Sequence, residues 1–207
     1  QKDEISTDEQ RQLLELVTKS KNRKLLERAQ RLEWKDPNCR HLLIAGWAQL
    51  PRGTGAAQAA RLLQAWSNTL PPPDPPPTLV SYRVVVTALA QTDNYQLAGQ
   101  VLQKLCKSGL VPDRDCFHRV LGACAKAGAT GAASDCFTIM GELHHSQGWE
   151  TQPNLSTYKL VLIAHSHPKQ HRLPDAGQAA YKIFQSMPET RDNTYDNRTL
   201  NACYNLT

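Results

Sequence analysis

The sequence lacks several features that mark enzymes and membrane proteins. Aromatic residues make up only 6% of the 207 residues, so one large globular core is not the obvious way to bury the 40% that are hydrophobic. No uninterrupted apolar run approaches membrane-spanning length. The chain has no glycine-rich phosphate loop and no nucleophile with a neighbouring base. We therefore predict no enzymatic activity, no membrane insertion, no cofactor and no small-molecule substrate.

A zinc or disulfide pattern is also missing. None of the six cysteines forms a CxxC pair, and Cys124 and Cys136 fall on hydrophobic positions of the pattern described below. Buried, reduced thiols explain them better than a disulfide framework, which favours a reducing compartment such as the cytosol or an organelle matrix. The histidines at 144, 145, 165, 167 and 171 lack acidic or cysteine ligands at matching spacing. We interpret them as exposed loop histidines and predict no metal site.

The charge of the chain is mildly basic. A net charge of +5 and a pI of about 8.9 are compatible with an anionic partner. Many soluble proteins carry as much charge, so this observation alone does not indicate nucleic-acid binding.

A repeated hydrophobic spacing dominates the chain. A large side chain is followed by hydrophobic residues at +3, +4 and +7, as in Tyr82, Val85, Val86, Leu89, in Phe117, Val120, Leu121, Cys124 and in Tyr158, Val161, Leu162. An alanine starts the same spacing further on, as in Ala59, Leu62, Leu63, Trp66, in Ala98, Val101, Leu102, Leu105, in Ala133, Cys136, Phe137, Met140 and in Ala180, Ile183, Phe184, Met187. Paired amphipathic helices at this period predict an all-α protein, an α-solenoid of helix-turn-helix repeats.

The repeats divide the chain into two regions. Residues 1–36 predict an N-terminal helix pair, a degenerate repeat or cap, with Thr7 capping a helix through about Val17 and a second helix over 21–34. Residues 37–207 form the array, with units at 37–78, 79–113, 114–154 and 155–196 and a partial unit at 197–207. Three units end in proline followed by a small polar residue, at positions 77–78, 112–113 and 153–154.

The second unit, LVSYRVVVTALAQTDNYQLAGQVLQKLCKSGLVPD, resembles a pentatricopeptide repeat over its full length. It has Tyr82 at the fourth position, Ala98 and its hydrophobic triplet in the second helix, and the closing Gly109 and Pro112-Asp113. The resemblance covers residues 37–207 well and 7–36 weakly. It implies a right-handed superhelix in which the first helix of each pair lines a concave groove.

The resemblance also implies where single-stranded RNA would lie. In the family the fifth and last residues of a repeat read a base, and the second residue sandwiches it. The implied reading pairs are His41 with Thr78, Arg83 with Asp113, His118 with Asn154, and Lys159 with Asp196, followed by Asn201 of the partial unit. The implied sandwich residues are Asn38, Val80, Asp115, Ser156 and Arg198.

The identities of these residues depart from the family pattern. The family usually has short polar residues at the fifth position, whereas this chain has long and mostly cationic ones. Arg83 can pair with Asp113 and neutralise both readers, and only Val80 suits an apolar base clamp. We therefore predict a basic groove that contacts phosphate or structured RNA in preference to a modular base code.

Two functions remain open on the sequence. The first is an RNA-binding protein of a mitochondrion or chloroplast, acting in RNA processing, stability or translation. The second is a structural scaffold subunit of an organellar ribosome or another ribonucleoprotein or protein complex, in which neighbouring proteins dock on the groove and on the long insertions.

Overall fold

The computed structural model describes residues 6–32, 34, 38–69, 75–147, 151–166 and 176–186. These residues form ten α-helices and a short 3₁₀ turn over Pro51–Gly53, with no β-strand among them. The helices are α1 (Thr7–Lys19), α2 (Arg23–Gln30), α3 (Asn38–Ala48), α4 (Ala56–Ser67), α5 (Leu79–Ala90), α6 (Tyr95–Lys107), α7 (Arg114–Ala127), α8 (Thr130–Gln147), α9 (Leu155–His165) and α10 (Ala176–Gln185).

The helices stack as successive pairs. Each odd-numbered helix packs against the even-numbered helix that follows it and against the next odd-numbered helix, from α1 through α9. The even-numbered helix α6 also contacts α4 and α8, so the pairs form two layers. This arrangement confirms the predicted all-α helical-repeat fold, because each pair buries its hydrophobic face mainly against its neighbours.

The predicted hydrophobic spacing describes the core. Tyr82, Phe117 and Tyr158, at the fourth position of three units, are all buried, and the Phe137 and Tyr158 rings meet edge to face at 5.2 Å. The alanines that open the stripes of α4, α6 and α8 (Ala59, Ala98, Ala133) are fully buried. One continuous cluster of buried side chains runs from Leu26 in α2 to Ala164 in α9.

The N-terminal pair differs from the sequence prediction. Ser6 caps α1 in place of Thr7, because its hydroxyl accepts the Glu9 amide while the Glu9 carboxylate accepts the Ser6 amide. The second helix spans only Arg23–Gln30, not 21–34. Lys21 takes a left-handed backbone at φ 49° before it, and Trp34 lies beyond it, donating its indole N–H to the Ala29 carbonyl at 2.8 Å.

Glycine allows two close approaches in the first part of the chain. A Cβ at Gly46 of α3 would lie 2.7 Å from Thr18 Cγ2, so glycine lets α3 come close to the N-terminal pair. A Cβ at Gly55 would lie 2.1 Å from the Trp47 carbonyl oxygen, so glycine also permits the tight turn between α3 and α4.

Two of the predicted boundary residues cap the next helix. Asp113 accepts the Cys116 amide at 2.9 Å at the start of α7, and Asn154 accepts the Thr157 amide at 3.0 Å at the start of α9. Such caps contribute roughly 1 kcal/mol each. Thr78 makes no such bond to the backbone of α5, and its hydroxyl instead lies 3.3 Å from the Ser81 hydroxyl.

Candidate functional site

The fifth and last residues of a unit meet at the junction with the next unit. In the first unit, Nδ1 of His41 lies 3.0 Å from the hydroxyl of Ser81, and that hydroxyl lies 3.3 Å from the hydroxyl of Thr78. Ser81 occupies the third position of the following unit and is fully buried. A buried hydroxyl therefore joins the two predicted readers.

The third unit repeats this arrangement one step further along the stack. Nε2 of His118 lies 2.8 Å from the Thr157 hydroxyl, which donates to the Asn154 side-chain oxygen at 3.0 Å. Thr157 is again a fully buried hydroxyl residue at the third position of the following unit. The same three positions, with histidine, hydroxyl and a polar side chain, are thus used at two separate junctions.

The middle junction uses an ion pair. Here the third position holds Cys116, and Nη1 of Arg83 reaches Oδ2 of Asp113 directly at 3.3 Å. The contact agrees with the pairing predicted from the sequence. Both side chains are partly exposed, at 56% and 39%, so we expect this bridge to stabilise the fold by less than about 1 kcal/mol.

Burial lowers the pKa of the two histidines. Partial burial lowers the pKa of His41. The pKa of His118 is also lowered, first by burial and then by the nearby Arg114 charge, against weaker raising effects of Asp115 and Asn154. Both imidazoles are therefore mainly neutral at neutral pH.

The second positions lie on the surface. Asn38, Val80, Asp115 and Ser156 are all exposed, and Val80 shows 57% of its surface to solvent. The one apolar member of the set is thus accessible to a base. Lys159 is partly buried, while Asp196, Arg198 and Asn201 lie outside the described residues.

A groove on the odd-helix side adjoins these pairs. It has a volume of about 720 Å³ and lies between the end of α3, the Pro51–Gly53 turn, α5 and the start of α7. Arg52, Arg83 and Arg119 line it, and none of the described residues that line it is acidic. Arg52 and Arg119 were missed in the sequence. Arg119 follows the fifth-position His118 directly, a signal that could have found it, whereas Arg52 lies in a unit-specific turn.

Comparisons with known proteins fit this geometry. Residues 76–127, which hold α5, α6 and α7, match the model of the pentatricopeptide repeat domain. This segment of the chain is therefore similar to a pentatricopeptide repeat domain. The match confirms the resemblance that the sequence of the second unit indicates.

The fold of the whole chain resembles that of a solved pentatricopeptide repeat protein. The crystal structure of PPR10 from maize matches over 96% of this chain with a TM-score of 0.64 and 15% sequence identity. The matched region covers 26% of the maize protein, so this chain spans about a quarter of its length. No curated protein sequence matches the chain.

The remaining histidines of the chain have varied surroundings. His165, predicted to be an exposed loop residue, is 3% exposed at the end of α9, where Nδ1 donates to the Val161 carbonyl at 2.9 Å. His145 is exposed and bonds the Gly141 carbonyl, and the rings of His144 and His145 are 5.7 Å apart. His167 and His171 lie outside the described residues.

Aromatic and thiol side chains of the repeats are packed in the core. Trp47 and Trp66 are buried, and Trp149 lies outside the described residues. The five cysteines within the described residues have free thiols. Burial raises the pKa of Cys106 and Cys124 to about 11 and, with the nearby Asp113, that of Cys116 to about 12, so these thiols stay protonated at neutral pH.

Within the described part of the chain, no helix is long and apolar enough to cross a membrane.

Proposed function

We propose that this chain is an RNA-binding helical-repeat protein that holds single-stranded or structured RNA on its odd-helix face. The observation that carries the proposal is the repeated junction. In three consecutive units, the fifth and last residues lie together at one edge of the odd-numbered helices, beside exposed second positions. This is the arrangement that base-by-base binding of RNA by repeat proteins uses.

The contacts favour the RNA backbone over the bases. His41 and His118 are half-buried, mainly neutral and already hydrogen-bonded to the next unit, while Arg83 is paired with Asp113. Changing these partners to read a base would cost the hydrogen bonds that join the units. We therefore propose largely electrostatic affinity that falls as salt rises, with weak dependence on sequence.

Filter binding with a labelled single-stranded RNA tests the proposal. The double variant Arg83→Glu plus Lys159→Glu reverses two charges on the odd helices and should reduce the affinity at low salt at least tenfold. A matched control, Arg61→Glu plus Lys182→Glu, makes the same change in net charge on the even-numbered α4 and α10 and should bind as the wild type does. Absence of binding at low salt, or equal loss in both variants, rejects the proposal.

We also propose that the protein acts in a mitochondrion or chloroplast, in RNA processing, stability or translation. We propose that it acts by binding RNA and not as an enzyme. The free, buried thiols support a reducing compartment. Import of a fluorescently tagged full-length protein into an organelle would support this location. Retention in the cytosol would contradict it.

A scaffold function is the second candidate, and a separate observation favours it. A groove of about 490 Å³ opens between α6 and α8 on the even-helix side, lined by Tyr95, Gln100, Asp135 and Ile139 among others. It lies away from the predicted readers and offers room for a side chain of a protein partner. Purification of the native protein separates the two functions. A stable multi-protein assembly supports the scaffold, and a free protein with a short RNA footprint supports the RNA-binding factor.

A further inference from the structure

We propose that Arg52, Arg83 and Arg119 form a binding site for the phosphates of single-stranded RNA, which joins Arg83 of one implied base-reading pair to two further arginines. The inference rests on the proposed function and assigns one part of the RNA, its sugar-phosphate backbone, to one groove. Two of the three arginines, Arg52 and Arg119, lie at positions to which the pentatricopeptide resemblance gives no role.

The charged residues that line the groove are all positive. Three guanidinium groups line the same 720 Å³ space, and the described lining residues include no carboxylate. Arg52 and Arg119 make no ion pair or side-chain hydrogen bond with another described residue, whereas Arg11 and Arg23 are paired with Glu15 and Glu27 within their own helices. Arg52 and Arg119 therefore carry charges that no described carboxylate pairs with, whereas Arg83 is shared with Asp113. A guanidinium can donate two parallel hydrogen bonds to a phosphate.

The backbone conformation of the Pro51–Gly53 turn sets the position of Arg52. Arg52 has φ 57° and ψ 22°, a left-handed conformation that a residue with a side chain rarely adopts. Gly53 follows with φ 65°, and a Cβ there would lie 1.8 Å from Thr92 Cγ2, so the turn is held closely against the end of α5. Such unfavourable backbone at an arginine is retained where the surrounding structure enforces it, as at ligand-binding sites.

The groove is continuous with the reading surface. Arg83 belongs both to the groove and to the pair with Asp113, and Arg119 directly follows His118. A strand of RNA lying along the exposed second positions would thus bring its phosphates past the groove. The volume exceeds that of a single phosphate, so we expect the arginines to hold a short stretch of backbone without choosing among bases.

The double variant Arg52→Gln plus Arg119→Gln tests the site in the full chain. Fluorescence anisotropy measures the affinity for oligouridine and oligocytidine RNA at salt concentrations from about 0.05 to about 0.5 M. Over a tenfold range of salt, counterion release gives a measurable slope of log affinity against log salt. We expect the slope of log affinity against log salt to fall by about 0.7 for each arginine removed, and both RNAs to lose roughly tenfold at about 0.1 M salt. Arg52→Lys plus Arg119→Lys should restore most of the slope because it keeps the charges.

Arg61→Gln plus Lys182→Gln is the matched control, since it removes the same two charges from the even helices. Circular dichroism of each variant checks that the helices remain folded. Normal RNA binding by the groove variant, equal loss in the control, or loss for only one of the two RNAs would each overturn the inference while leaving RNA binding itself in place. If the wild-type chain binds neither RNA, the proposed function fails first, and the inference fails with it.

Discussion

At the scale of single residues, the junctions between units depend on buried hydroxyl groups. Ser81 and Thr157 are fully buried at the third position of their units, and each hydrogen-bonds the histidine of the unit before. Removing such a hydroxyl leaves a buried polar neighbour without a hydrogen-bond partner. The free energy of unfolding then falls by more than the net contribution of the hydrogen bond itself. The third position therefore stabilises the contact between units and also fixes the predicted readers.

The variant Thr157→Val tests this role. It keeps the shape of the side chain and removes the hydroxyl that His118 and Asn154 use, so we expect the free energy of unfolding to fall by about 1–2 kcal/mol. The adjacent Ser156→Ala, at an exposed position, should change it by less than about 0.5 kcal/mol. Urea unfolding followed by circular dichroism measures both. Equal effects of the two substitutions would contradict the account.

The two histidines also predict a dependence of stability on pH. Their folded pKa values are lowered from 6.5, so the unfolded chain takes up protons more readily as the pH falls through about 6.5. The contribution of the two neutral histidines to the free energy of unfolding should be fully present above that pH and decline below it. We expect a lower urea midpoint at about pH 5.5 than at about pH 7.5, a window above the usual range for carboxylates.

His41→Gln plus His118→Gln provides the comparison for the pH prediction. Glutamine can keep a hydrogen bond to the hydroxyl of the next unit but does not titrate. The double variant should lose most of the difference between the two midpoints. An unchanged difference would assign the pH dependence to other groups.

At the scale of helices and turns, the tight connection between α3 and α4 is the most demanding element. We predict that Gly55→Ala destabilises the chain by about 3 kcal/mol, because its Cβ would meet the Trp47 carbonyl oxygen, a backbone atom that cannot move aside easily. Gly99→Ala is the matched control. A Cβ at Gly99, inside α6, meets no atom within 4 Å, so that variant should be neutral or more stable by up to about 1 kcal/mol. Thermal unfolding compares the two variants. A Gly55→Ala protein as stable as the wild type would contradict the predicted clash with the Trp47 carbonyl oxygen.

Helix positions were predictable where hydrophobic spacing is strict, and less so where local backbone decides. The stripes that start at Tyr82 and Phe117 are buried as expected, because helix pairs of one period must bury the same faces. The second helix was predicted too long. Leu25, Leu26 and Ala29 continue the helical spacing, but the left-handed Lys21 and the Asn22 cap delay the start of α2, and the chain leaves the helix after Gln30.

At the scale of the whole molecule, the candidate site could be predicted only in part. The resemblance of the second unit to a pentatricopeptide repeat placed Arg83 and Asp113 together, and the two side chains do form an ion pair. The lowered pKa values of His41 and His118 depend first on burial, which the sequence of one repeat does not reveal. Arg52 joins the groove through a turn specific to its own unit, so no repeated pattern indicated it.

The stacking of pairs also explains how the chain can hold an extended ligand. Each odd-numbered helix packs on the next, so equivalent surface positions recur at each step along one side of the stack. The arginine groove lies within that side, and the groove between α6 and α8 lies on the other. The two sides can therefore serve different partners without competition for the same residues.

Photo-crosslinking of a bound RNA that contains 4-thiouridine tests the central claim most directly. After crosslinking at low salt and digestion, mass spectrometry identifies the peptides that carry nucleotide. The account predicts crosslinks on α3, α5, α7 and α9 and on the Pro51–Gly53 turn, and their loss in the Arg83→Glu plus Lys159→Glu variant. Crosslinks confined to α4, α6 and α8 would contradict it.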